Sequence, residues 1–181
     1  GKIHDLWLSL PALDLPMWFS AKFLMYLLVE GFLVGIMFTK DKEERRHRLK
    51  VAVLALSAAI LSRFVITEAI RFVFPRPRPF VFFDFYPLIA EPTLNSSSFP
   101  SGHAAFFFAF AMIVLFYWPR AGLLFMLGGL LVGFSRIYVG VHWPSDIIMG
   151  AALGILTAFS LHWFLLHKQK APFFNGIYER T

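Results

Sequence analysis

The chain has 181 residues, 58% of them hydrophobic and 15% charged, with a net charge of +6 and no cysteine. That balance is too apolar for a water-soluble domain, and long apolar runs point to one polytopic membrane domain covering residues 1–181. The missing cysteines exclude disulfides and thiolate metal sites; in so apolar a chain the positive charge reads as a topology signal, not as a nucleic-acid surface.

Residues 1–16 carry Trp7, Leu8, Leu10, Leu13 and Leu15 but are interrupted by Pro11 and Pro16. Too short and broken to span, they are expected to lie as a helix at the membrane interface, with no cleavable leader. Residues 17–39 form the first expected span, about 34 Å long. The run 40–50, KDKEERRHRLK, holds six Lys or Arg in eleven residues and reads as a cytoplasmic loop whose charges meet lipid head groups. A second span covers 51–74 and stops at Pro75, Pro77 and Pro79. About 101–118, 122–139 and 145–166 supply the third, fourth and fifth. The expected fold is an all-α transmembrane bundle of about five spans plus the interfacial helix.

Five spans place Arg120, Lys168, Lys170 and Arg180 on the side of the basic run. The N-terminus and the 75–100 and 140–145 loops share the other side, where Arg76 and Arg78 break the charge rule. Glu30 and Arg63 each fall about halfway through a span, where charge is costly unless paired. The expectation is a Glu30–Arg63 ion pair, with Glu68 bonded to Arg71 three residues later. His4, His47, His162 and His167 read as interfacial hydrogen-bonders. Phe106, Phe107 and Phe108 read as packing or lipid-facing surface and Asn95-Ser96-Ser97-Ser98 as a plain polar loop, while Ser135 is open between local capping or bonding and direct phosphate contact. Arg76 is open between steering an anionic substrate and an exposed structural role.

Three motifs converge on the side opposite the basic run. Arg71-Phe-Val-Phe-Pro-Arg-Pro-Arg78-Pro79 ends the second span, Pro100-Ser101-Gly102-His103 opens the third, and Ser135-Arg136…His142…Asp146 straddles the fourth and fifth. Guanidinium groups bind phosphate oxygens bidentately and stay charged at any working pH. Ser101 and Gly102 precede a helix, so their N–H groups can face an anion at its N-terminus. His142 and Asp146, four apart at a helix start, can share a face. A carboxylate on one ring nitrogen fixes the tautomer and leaves the other nitrogen free to attack. His103 is a second imidazole, able to protonate a leaving oxygen.

These residues resemble the signature of the type-2 phosphatidic acid phosphatase superfamily of lipid phosphatases, which shares its site with vanadium haloperoxidases. That signature is Lys, six residues, Arg-Pro; then Pro-Ser-Gly-His; then Ser-Arg, five residues, His, three residues, Asp. Arg71 stands where Lys is usual, and every other position matches, over about residues 60–160. The resemblance implies His142 as a nucleophile forming a phosphohistidine, Asp146 as its orienting carboxylate, and His103 as the proton donor that later activates water. Arg71, Arg78, Ser101, Gly102 and Arg136 would hold the phosphate, with no metal, no cofactor and no obligate protein partner. The short Arg-Pro-Arg-Pro-Phe-Val and Ser-Phe-Pro-Ser-Gly-His-Ala stretches look most like bacterial undecaprenyl pyrophosphate phosphatases of the bacitracin-resistance type. That implies an enzyme of the bacterial inner membrane with an extracytoplasmic site. Phosphatidylglycerophosphate or phosphatidic acid phosphatases and a lipid phosphotransferase share the machinery; a non-enzymatic transporter would need inverted repeats and broken helices, which are not evident.

Overall fold

A computed structural model describes residues 11–89 and 97–167. Helix α1 runs through Pro11–Phe19, a π-turn at Ser20–Leu24, and Met25–Met37. Helix α2 is built the same way from Lys42–Ile60, a π-turn at Leu61–Ile66, and Thr67–Val73. A single turn, α3, spans Pro79–Phe82, followed by α4 (Gly102–Tyr117), α5 (Pro119–Tyr138) and α6 (Pro144–His167). Helices α1, α2, α5 and α6 are each long and apolar enough to cross a membrane; α4 is apolar but shorter, 16 residues. No strand occurs among the described residues. The chain is an all-helical integral membrane protein.

Helix α4 is the axis of the bundle. At about 24 Å it is too short to need lipid of its own, and most of its residues are buried, Phe107, Phe110, Ile113 and Val114 completely. Its lower half packs between Val51, Leu54, Ala55 and Ala58 of α2 and Ala158 and Leu165 of α6. Its upper half meets α6 through small residues. A Cβ on Gly150 would lie 2.4 Å from the Ser101 carbonyl oxygen, and one on Gly154 would lie 2.5 Å from that of Ala105. Small residues are how membrane helices approach backbone to backbone where no water drives them together. Leu124, Ile148, Leu156 and Trp163 point outward, exposed, a pattern that suits lipid as the solvent. Of the Phe triplet, Phe107 and Phe108 are buried packing, and Phe106 is partly buried against both flanking clusters.

Three boundaries depart from the sequence reading. Residues 11–16 are not a separate interfacial helix; they are the first turns of α1, and residues 1–10 lie outside the described residues. Pro16 removes one N–H from the α1 ladder and is tolerated near the helix start. Asp14 pins this segment by accepting a 2.8 Å hydrogen bond from Tyr138 Oη, and Met17 and Trp18 pack against the cluster that includes Phe80, Tyr138, Val139 and Val141. The basic run is likewise helix from Lys42 onward. Asp41 caps it by accepting from Glu43 N, Glu43 and Glu44 fall in its first turn, and Glu44 pairs with Arg48 at 2.8 Å; acidic charge at the N-terminus and an i,i+4 pair both favour the helix. Finally, α5 starts at Pro119, because proline suits a first helical position, leaving Trp118 as the whole connection to α4.

The chain order sends α1 down, α2 up, α4 down, α5 up and α6 down. The ends of α2 and α5 and the starts of α4 and α6 therefore meet at one pole, and the Lys42–Lys50 charges sit at the other.

Candidate active site

The pole opposite the basic turns gathers all eight candidate residues. Ser101 caps α4, its hydroxyl accepting from Ala104 N at 3.5 Å. Its own N–H donates to the Asp146 carbonyl oxygen at 2.9 Å. That corrects the expectation that the Ser101 N–H faces an anion: it ties the start of α4 to the start of α6. Gly102 and His103 hold the first two helical positions of α4, where N–H groups have no intrahelical acceptor.

Gly140, with φ of 83°, turns the chain out of α5, and Val141 N closes the turn on the Arg136 carbonyl. This delivers His142, 2% exposed, to the fully buried Asp146. His142 Nδ1 lies 3.4 Å from Asp146 Oδ2, which also accepts from Trp143 N at 2.8 Å. The pairing leaves Nε2 as the free ring nitrogen. Arg78 and Arg136, each 4% exposed, flank it. Arg78 Nη1 donates to Val141 O at 3.1 Å, and Arg136 Nη1 to Ala21 O, a carbonyl of the α1 π-turn, at 3.5 Å. Arg71 forks onto the Pro100 carbonyl through Nε (3.2 Å) and Nη2 (3.0 Å) and reaches Glu68 at 3.1 Å. The expected Glu68–Arg71 contact is present.

Burial, then the charges of Arg136, Arg78 and Arg71, hold the His142 imidazole well below the ordinary histidine range. A neutral ring is the nucleophilic form, so the acid limb of kcat/KM should fall well below pH 6.5, the unperturbed value. A pH profile corrected for substrate ionisation checks this; a limb at or above that pH would contradict the arrangement. The linkage has a definite sign. The unfolded chain takes up a proton near its ordinary histidine pKa and the folded one does not, so this group lowers stability as pH drops below that value.

Three contributors lay outside the sequence reading. Ser98 is fully buried, and its hydroxyl donates to Pro77 O at 3.3 Å; it also acts on Asp146 and on the His142 ring. The Asn95–Ser98 stretch is therefore more than a polar loop at its last residue. Arg76 stacks on Trp143 at 5.1 Å and donates to Ser145 Oγ at 2.7 Å and Asp146 Oδ1 at 2.9 Å. It shares the carboxylate with His142 instead of standing free, and its breach of the charge rule was the available signal. Arg63 does not pair with Glu30: it bonds Glu68, and its guanidinium presses on α4 so closely that a Cβ on Gly102 would lie 2.2 Å from Nε. The preference for a local partner five residues away, across the α2 π-turn, overrides the interhelical pair expected from depth alone. Of the two roles open to it, Ser135 shows the local one, donating to Val132 O at 2.7 Å.

Residues 52–170 match the model of the PAP2 superfamily. A Bacillus licheniformis protein named bacitracin transport permease protein BcrC is 28% identical over 168 residues, covering 89% of this chain and 76% of that protein. The undecaprenyl-diphosphatase BcrC of Bacillus subtilis is 32% identical over 127 residues; the match spans 70% of this chain but only 62% of that relative. The crystal structure of Aquifex aeolicus LpxE superposes with a TM-score of 0.66 at 27% identity, over 84% of this chain and 87% of LpxE. With its family model covering most of the bundle and its site, the chain belongs to the PAP2 superfamily.

Proposed function

We propose that this PAP2 phosphatase removes the terminal phosphate of a lipid-linked diphosphate, undecaprenyl diphosphate above all, through a phosphohistidine and without a metal. The observation that carries the reading is a buried, Asp146-bonded His142 ringed by Arg71, Arg78 and Arg136 beside a second imidazole, His103. In the first step His142 Nε2 attacks the terminal phosphorus. The N–P bond forms as the bridging P–O bond breaks, and lipid monophosphate departs with the bonding pair and a proton from His103. In the second, neutral His103 takes a proton from water while the water oxygen attacks phosphorus. The N–P bond breaks, its pair returns to His142, and inorganic phosphate is freed.

Asp146 accepts from Nδ1–H throughout and stabilises charge on the ring. Arg71, Arg78, Arg136, the Gly102 N–H and the Ser101 hydroxyl hold the phosphoryl oxygens, supplying the positive charge that metal ions bring to many phosphoryl transfers. The undecaprenyl-diphosphatase relative supports the substrate, and the basic turns at the far pole favour an extracytoplasmic site in a bacterial inner membrane.

The test is phosphate release from detergent-purified protein in excess EDTA, with undecaprenyl diphosphate, phosphatidylglycerophosphate and phosphatidic acid offered in parallel. Full activity confined to the diphosphate is expected. Preference for glycerophospholipids would keep the mechanism and change the pathway, and a strict metal requirement would overturn the mechanism. Phosphate appearing on an added acceptor lipid in place of free phosphate would make the protein a transferase.

A further inference from the structure

A cavity of about 390 Å³ lies between α1 and α2 and reaches the catalytic pole. Met25, Tyr26, Glu30, Arg63, Phe64 and His103 are among its lining residues. Tyr26 and Phe64 are exposed on the outer surface of the bundle, so the cavity opens sideways, toward lipid. Its one contact with the reaction centre is through His103 and the first turn of α4.

On the proposed mechanism, His103 protonates the oxygen that leaves, and His142 attacks from the opposite side of the phosphorus. In-line displacement therefore puts the leaving group on the His103 side, in this cavity. The cationic group waiting there is Arg63, with Glu30 also on the cavity wall. Its guanidinium rests against Gly102 and carries Glu68, which Arg71 also holds; it also acts electrostatically on His103.

We infer that Arg63 binds the phosphate that stays on the lipid and so makes the enzyme select diphosphates over monophosphate esters. The inference rests on the reading of the site as a diphosphate hydrolase. The leaving group of a diphosphate is itself an anionic phosphate, whose oxygens match the guanidinium fork and can take Arg63 over from Glu68. The leaving group of a monoester is an alcohol, which offers the fork no anion and leaves Arg63 with Glu68. Because the leaving phosphate gains negative charge as the bridging bond breaks, the contact tightens in the transition state and raises kcat as well as affinity.

The experiment compares wild type, Arg63→Gln and Arg63→Lys on farnesyl diphosphate and farnesyl monophosphate. The expected result is a diphosphate-to-monophosphate kcat/KM ratio lowered about 10- to 100-fold in Arg63→Gln, the effect of one lost charged hydrogen-bonding contact, and lowered less in Arg63→Lys. Equal losses on both substrates would overturn the inference and reduce Arg63 to a brace for α4. Binding of farnesyl methylenediphosphonate against farnesyl phosphonate is measured alongside. If wild type fails to hydrolyse any diphosphate, the functional reading falls, and the binding arm still decides on Arg63. Selective loss of the diphosphonate in Arg63→Gln supports its role, and unchanged selectivity overturns it. Should Arg63→Gln not fold, Arg63→Lys carries both comparisons, and an unaltered ratio there overturns the inference.

Discussion

His142→Ala is expected to lower phosphate release by on the order of 10⁴-fold or more, the scale of losing a covalent nucleophile. On the proposed mechanism the substitution removes the atom that would bond to phosphorus while leaving the arginine ring and the helix turn on Gly102 in place. Substrate should therefore still bind. The two effects separate by rapid acid-free quenching with radiolabelled diphosphate: wild type traps a labelled, acid-labile protein, and His142→Ala traps none at comparable occupancy. A labelled protein in the variant would move the nucleophile elsewhere. The change also leaves Asp146 with Arg76, Ser145 and Trp143 as neighbours, so its charge stays compensated and a folding defect is not the expected cause.

His103→Ala should cost about 10²- to 10⁴-fold, the range of lost general acid–base catalysis, and it should do so unevenly across the two steps. A lipid monophosphate is a good leaving group that gains little from a donated proton. Water, by contrast, is a poor nucleophile until a base takes its proton. Phosphohistidine hydrolysis should therefore slow more than phosphohistidine formation, and the labelled protein should accumulate in His103→Ala above its wild-type level. Rapid-quench time courses measure both rates. A variant that forms the labelled protein more slowly than wild type but loses it at the wild-type rate would assign His103 to the leaving group alone. A loss below tenfold would remove it from the chemistry.

Much of this molecule is readable without coordinates because its constraints are local. Apolar runs of membrane length and the side-by-side placement of three motifs fix the helical bundle and the pole where His103, His142 and Asp146 meet, since an odd or even number of crossings decides which loops share a side. What escaped is where partners are chosen in three dimensions. Depth along the spans suggested Glu30 for Arg63; the α2 π-turn instead turns Arg63 to Glu68 and the start of α4. Spacing left Arg76 open between steering an anionic substrate and an exposed structural role and made Ser98 an ordinary loop residue, yet the Pro75–Pro79 segment folds back onto the 97–100 segment, Arg76 O accepting from Ser98 N at 2.9 Å. That backbone contact brings both residues to Asp146.

The sequence by itself determined the fold class, the family resemblance and the candidate site residues, because hydropathy and motif chemistry act through residue type and spacing. Only the tertiary structure decided that Arg76 shares Asp146 with His142, that the Ser101 N–H is committed to α6, and that Arg63 looks into a lipid-facing cavity. A long, charged side chain reaches whichever partner packing brings near, and helix contacts as close as those of Gly102, Gly150 and Gly154 arise from the assembled bundle, not from any one segment of it.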